Sequence, residues 1–216
     1  LYLSFTGYGA ANAWALARGY LQGSWGGRVL SLELEGRSDR LQVGSGDAYF
    51  DNFVVDSGNL VVTEFGGVAR FWSPVLADHF FTVDDQEADY LIANFRDVWT
   101  FEGIVLRAAT TGFADGLAPV YRFWSNRFAK HFYTISEAEK GMLLEADKDV
   151  WTFEGVAFYA YPAGRQPAKA RPVYRFWKPA DNAHFYTIDE AERDLLVKQL
   201  PHVYVFEGVA FYAFAP

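Results

Sequence analysis

Two hydrophobic rhythms divide the chain. Up to about residue 65 apolar and polar side chains alternate, as in RVLSLELEG (28–36), DRLQVGS (39–45) and NLVVTEF (59–65). A period of two is that of half-buried strands, and the Gly, Ser and Asp between these runs supply turns. No helix-capping pattern interrupts them, so residues 1–65 read as an all-β segment of about five strands. Beyond residue 65 the rhythm changes to short aromatic runs, VYRFW and HFYT, separated by turn residues such as Ser73-Pro74, Ser125-Asn126 and Lys178-Pro179. Each such pair reads as a hairpin. A polar stretch follows each hairpin and opens with Asp84 and Glu87, Ser136 and Glu139, or Asp189 and Glu192. That is the spacing of a capping box and predicts a helix of about ten to twelve residues in each place. Leu91, Leu143 and Leu196, preceded by Tyr90, Met142 and Leu195, give each helix a narrow apolar stripe. The chain then returns to strand in WTFEGVAFYA, where Gly103, Gly155 and Gly208 predict a bulge or bend that splits it into two short strands.

These elements recur in register. Trp72, Trp124 and Trp177 lie 52 and 53 residues apart. In every copy Trp to His spans seven residues (72 to 79, 124 to 131, 177 to 184) and His to Glu spans twenty-three (79 to 102, 131 to 154, 184 to 207). Each copy is too small to bury its own apolar face, so the three must pack together. The expected fold is mainly β with short helices: a pseudo-threefold, β-trefoil-like domain over 66–216, with repeats at about 68–113, 119–163 and 172–216, after a β-sandwich-like segment at 1–65. A three-bladed, propeller-like ring is the alternative. A linear solenoid is disfavoured because no atypical capping repeat follows the last copy.

Two resemblances follow from these motifs. RVLSLELEG with DAYFDNFVV is similar to the closing strands of jelly-roll sandwiches on exported bacterial proteins, over some forty residues. The pattern Arg-Phe-Trp, His-Phe-Tyr-Thr, Phe-Glu-Gly-Val-Ala-Phe-Tyr resembles a triplicate repeat family of unknown function, found beside enzyme or cell-surface domains in secreted bacterial and fungal proteins. This covers residues 68–216 and implies export and a module-like role, but no active residues. The start at Leu1, without an initiator Met, fits a longer parent protein upstream.

Composition narrows the function. Of 216 residues, 19% are aromatic and 51% hydrophobic, which excludes a disordered chain. The net charge of −8, with no basic cluster, argues against nucleic acid as a partner. No apolar run approaches the ~18 residues needed to span a bilayer. The absence of cysteine excludes disulfides and thiolate chemistry.

The recurring residues carry the candidate chemistry. Phe71, Phe123 and Phe176, with Phe80, Phe132 and Phe185, are expected to fill the barrel. Alternation places Trp72, Trp124 and Trp177 on the opposite face, to cover the helix or stack on a sugar ring. Arg70, Arg122 and Arg175, His79, His131 and His184, and Glu102, Glu154 and Glu207 are expected to form a structural polar network, since charges in strands are unfavourable unless paired. A sugar site, or a metal on the axis held by three His, would use the same groups. No cofactor is called for. Copy one has Ala69, Phe81 and Arg107 where the others have Tyr121/Tyr174, Tyr133/Tyr186 and Tyr159/Tyr212. Either those hydroxyls form a polar surface that copy one has lost, or copy one turns that surface to the N-terminal segment. On the first reading the ligand-binding candidates are Trp124, Asn126, His131, Tyr133, Trp177, Asn182, His184 and Tyr186, in two lobes. No G-x-S-x-G elbow, H-E-x-x-H, P-loop or dinucleotide fingerprint is present, and three equivalent Glu lack the asymmetry that a glycosidase needs. The expectation is a secreted, non-catalytic, lectin-like module that attaches to a glycan or cell-surface polysaccharide. A structural or protein-binding adhesion module is the alternative, and a hydrolase the second.

Overall fold

The computed structural model describes residues 65–112 and 114–216 in full, and between residues 14 and 64 the backbone of strands alone. The chain divides into two compact units, Leu1–Phe65 with Phe113–Asp115, and Gly66–Gly112 with Gly116–Pro216. In the first, β1 (Trp14–Ala17), β2 (Tyr20–Trp25), β3 (Arg28–Glu33) and β4 (Leu41–Gln42) form an antiparallel sheet in that order. Next, β5 (Phe50–Asp56) pairs antiparallel with β6 (Asn59–Ser73), starting at Asp56 opposite Asn59. The side chains and connections on which a sandwich would depend lie outside the described residues.

The second unit is mainly β, with short helices and antiparallel sheets. The end of β6 leads into β7 (Asp78–Thr82), α1 (Asp85–Asn94) and β8 (Thr100–Ala109). The same order then follows in β9 (Ala118–Ser125), β10 (Lys130–Thr134), α2 (Glu137–Glu145) and β11 (Thr152–Ala160), and again in β12 (Arg171–Lys178), β13 (Ala183–Thr187), α3 (Glu190–Gln199) and β14 (Val205–Ala213). Each hairpin's first strand pairs with both of its neighbours, giving the orders β10-β9-β11 and β13-β12-β14, with β7 on β6. The return strands then meet one another through Tyr159 opposite Ala109, Tyr212 opposite Tyr161, and Arg107 opposite Phe214.

Local chemistry accounts for these elements. Asp84 Oδ1 accepts from the amides of Gln86 and Glu87, Ser136 Oγ from Glu139, and Asp189 Oδ1 from Ala191 and Glu192, so each helix has its predicted N-cap. The reciprocal half of the capping box does not form. The N-cap amide is taken instead by the last residue of the His-Phe-Tyr-Thr run: Thr82, Thr134 and Thr187 accept it at 3.0, 2.9 and 3.0 Å. This frees the Glu carboxylates for use elsewhere. The apolar stripe is narrower than expected. Leu91, Leu143 and Leu196 pack inward, while Tyr90, Met142 and Leu195 stand exposed. The return strand is continuous rather than split, but it carries the predicted bulge, with Phe153 and Gly155 pairing to the adjacent residues Phe123 and Arg122 and Glu154 left over. Gly103, Gly155 and Gly208 hold φ of +116°, +116° and +106°, which a side chain would strain.

The core differs from the sequence reading. Val68, Val120 and Val173, with Phe81, Tyr133 and Tyr186 and Leu106, Phe158 and Phe211, form one central cluster. The rings of Phe81, Tyr133 and Tyr186 are a triangle of edge-to-face contacts, with centroids 5.5, 5.7 and 5.8 Å apart. The phenylalanines expected there lie in separate clusters under the helices: Phe71 and Phe80 with Leu91 and Trp99, Phe123 and Phe132 with Leu143 and Trp151, Phe176 and Phe185 with Leu196 and Tyr204. The correction has a simple cause. Strand alternation separates the two faces but does not say which face meets the other sheets and which meets the helix.

Candidate functional site

The bulge aims Glu154 at Arg122. Arg122 Nε donates to Glu154 Oε2 at 2.9 Å, while its Nη1 and Nη2 donate to the two oxygens of Glu87, on the helix of the preceding copy, at 2.9 and 3.0 Å. Arg175 repeats the arrangement, with Glu207 at 2.8 Å and Glu139 at 3.0 and 2.9 Å. Arg70 meets Glu102 at 2.7 Å and reaches round to Glu192 of the last copy at 3.1 and 3.5 Å. Each guanidinium thus joins the bulge of its own copy to the helix of another. These are planar, two-pronged, charge-assisted contacts, the strong kind. Burial works against the charge on Arg122 and Arg175, but the bonds from Glu87 and Glu139 outweigh it and hold both firmly protonated. Burial would likewise raise Glu139, yet the Arg175 bond keeps its carboxyl below the usual range.

An aromatic row continues from these pairs. His79, His131 and His184 place Nε2 at 3.6, 3.8 and 3.4 Å from Glu102, Glu154 and Glu207. The half-buried rings of Trp72, Trp124 and Trp177 lie against those imidazoles at 4.6, 4.7 and 4.7 Å, so the tryptophans flank the histidines and do not cover the helices. The other side of each imidazole is met edge-on by a Phe of another copy: His131 by Phe80, His184 by Phe132 and His79 by Phe185. Burial, reinforced by Arg70, holds His79 down to about 3, and burial with Arg175 beside it does the same for His184. Both imidazoles are neutral at physiological pH.

The eight ligand-binding candidates separate into three groups. Trp124, His131, Trp177 and His184 belong to the row just described, and the Trp124 indole donates to Asn126 Oδ1 at 2.7 Å. Asn126 and Asn182 are exposed but occupy different corners of their turns, Asn126 two residues after Trp124 and Asn182 five after Trp177, where φ is +50°. Tyr133 and Tyr186 are not on the surface; they are 1% and 3% exposed, in the central core. Tyr133 Oη donates to the carbonyl of Phe81 at 3.0 Å and accepts its amide at 2.9 Å. Tyr186 Oη makes the same pair of bonds with Tyr133, at 2.7 and 3.1 Å. Burial pushes both phenols above their ordinary range. The hydroxyls missing from copy one therefore never shared a surface. Those of Tyr121 and Tyr174 bond Glu137 and Arg193 beside the helices, whereas Tyr159 and Tyr212 sit where the return strands meet.

Sequence reasoning missed Glu87, Glu139 and Glu192, although their recurrence was visible, because the capping box already explained them. It also missed Asp78, which is fully buried and accepts the His131 amide at 2.8 Å, with Oδ2 3.1 Å from Nδ1. The corresponding residues are Lys130 and Ala183, so nothing repeats there to draw notice.

A cleft opens beside each Arg–Glu junction, of about 530 Å³ at Arg70, 400 Å³ at Arg122 and 150 Å³ at Arg175. Its wall combines the guanidinium and the helix carboxylate with an exposed aliphatic side chain of the return strand: Ile104, Val156 or Val209. The clefts offer carboxylate acceptors beside apolar surface. Among the described residues no group of three His, Asp or Glu is placed to hold a metal ion. No helix among them is long and apolar enough to cross a membrane. The model of a domain of unknown function, DUF5648, matches residues 67–214. No curated protein and no solved structure matches the chain.

Proposed function

The chain belongs to the DUF5648 family, domains of unknown function, and from the clefts between its sequence copies we propose that it is a secreted, non-catalytic, lectin-like module that attaches to a glycan. In this reading the three copies are lobes about a pseudo-threefold axis, a trefoil-like arrangement. The equal 32-residue offsets of Arg70–Glu102, Arg122–Glu154 and Arg175–Glu207 support it, as do the three strand junctions, where 107, 159 and 212 meet 214, 109 and 161 respectively. The observation that carries the binding reading is the cleft wall. Sugars are gripped by planar polar side chains beside apolar surface, and the clefts at Arg70 and Arg122 fall within the roughly 300–1,000 Å³ of small-molecule sites. Behind the wall, Glu154 lies 3.8 Å from the His131 imidazole, against which the Trp124 ring packs. Binding is thereby assigned to the clefts at Arg70 and Arg122 in place of the tyrosines. The recurring Arg and Glu both staple the lobes and present acceptors.

The test is a glycan array followed by calorimetry on the hits, with Val156→Lys placed in the cleft wall. Val156 is 43% exposed, so the variant should fold, and by filling the cleft and pairing with its carboxylates the lysine should remove most of the affinity. Failure to bind any glycan across a broad array would defeat the reading. It would favour a protein-binding adhesion module, for which the exposed Phe101, Phe153 and Phe206 would be the contact surface.

A further inference from the structure

The charge around the clefts restricts the sugar. Each guanidinium already faces two carboxylates, one from its own bulge and one from another copy's helix. Acids outnumber bases in every cleft wall: Asp84, Glu87 and Glu154 against Arg122, and Glu139 and Glu207 against Arg175. Asp189, Glu190 and Glu192 stand against Arg70 and Arg171 in the third. The helix N-termini at these clefts would ordinarily attract an anion. At the Arg122 and Arg70 clefts those amides are already occupied, since Asp84 and Asp189 each take two and so place a further negative charge at the helix start. The carboxylates keep spare lone pairs after bonding arginine, because each oxygen can accept more than one hydrogen bond. A ligand must therefore bring donors, not acceptors of charge.

We infer that the clefts take an amino sugar bearing a free ammonium group and reject uronates and sulfated sugars. The ammonium would lie against Glu87 and Glu154 in the Arg122 cleft, the most acidic of the three, with ring hydroxyls donating to the remaining carboxylate oxygens. This rests on the glycan-binding reading. It adds a sign to it: affinity should follow ligand charge and weaken with salt.

Calorimetry with three hexamers tests the inference: glucosamine with free amines, its N-acetylated counterpart, and galacturonate, each at low and at physiological salt. The expected order is free amine, then N-acetyl, then galacturonate. The first should be favoured over the second by roughly fivefold or more at low salt, and the gap should narrow as salt rises. The Glu87→Gln and Glu154→Gln variants should weaken binding of both glucosamine hexamers and lose the preference, so the readout is the ratio of the two affinities, which should fall towards one. Should either variant unfold, the salt titration of the unaltered protein decides alone. Tighter binding of galacturonate, or a free-amine preference that salt leaves unchanged, would overturn the inference and leave the lectin reading standing. Silence of all three hexamers together with an empty glycan array would overturn both.

Discussion

Replacing Tyr133 by Phe removes one oxygen and, from the geometry, two hydrogen bonds. The phenol bridges the amide and the carbonyl of Phe81 in the preceding copy, and all three groups are buried. After substitution the Phe81 amide and carbonyl have neither phenol nor space for bulk water. An unpaired buried polar group costs about 1–3 kcal/mol, so losing a two-bond bridge should cost about 2–4 kcal/mol in all. Tyr186→Phe removes the equivalent bridge to Tyr133 and should cost the same. At roughly 2–4 °C per kcal/mol for a chain of this size, each variant should melt some 4–16 °C below the parent. The third corner of the triangle provides an internal control. Copy one carries Phe81, so no phenol of copy one reaches the backbone of Tyr186. Phe81→Tyr should complete the triangle and raise stability by about 1 kcal/mol. Thermal denaturation followed by near-ultraviolet circular dichroism reads all three variants. Tyr→Phe variants that melt within about 2 °C of the parent would refute the bridge and return the tyrosines to a surface role.

Acid should destabilise the protein through its histidines. His79 and His184 are held at about 3 in the folded state, well below the usual value near 6.5, so the unfolded chain binds protons that the folded one refuses. The stability they contribute is complete above pH 6.5 and falls as pH drops towards 3, by up to about 1.4 kcal/mol per pH unit for each histidine. Urea midpoints measured from pH 7.5 to 4.5 should fall steadily, and a flat profile would show the imidazoles to be solvated. Gly155→Ala meets no atom within 4 Å, so its cost of about 1–3 kcal/mol would come only from the positive φ; an unchanged melting temperature would contradict this. Ala129 holds φ +53° at the turn corner where the third copy has Asn182, so Ala129→Asn should stabilise by about 0.5–1 kcal/mol in the same assay.

Local chemistry determined much of this protein before any folding was considered. Spacing alone located the hairpins, the three helix starts at Asp84, Ser136 and Asp189, and the glycines of the return strands, because each depends on residues within a few positions of one another. Three matters were decided only in the tertiary structure, and each for a physical reason. Which strand face became the central core depended on what packed against it: Val120 and Tyr133 joined the cluster shared with the other copies, whereas Phe123 packed beneath its own helix, with Leu143. The tyrosine pattern read as a surface because a phenol has a polar end. It is buried because that end finds a backbone amide and carbonyl 52 and 53 residues away, a partner that carries no side-chain signature. The helix glutamates were legible as residues but not as partners. Once the threonine hydroxyls take the N-cap amides, Glu87, Glu139 and Glu192 are free to reach arginines 35, 36 and 122 positions away, and only packing brings those charges together.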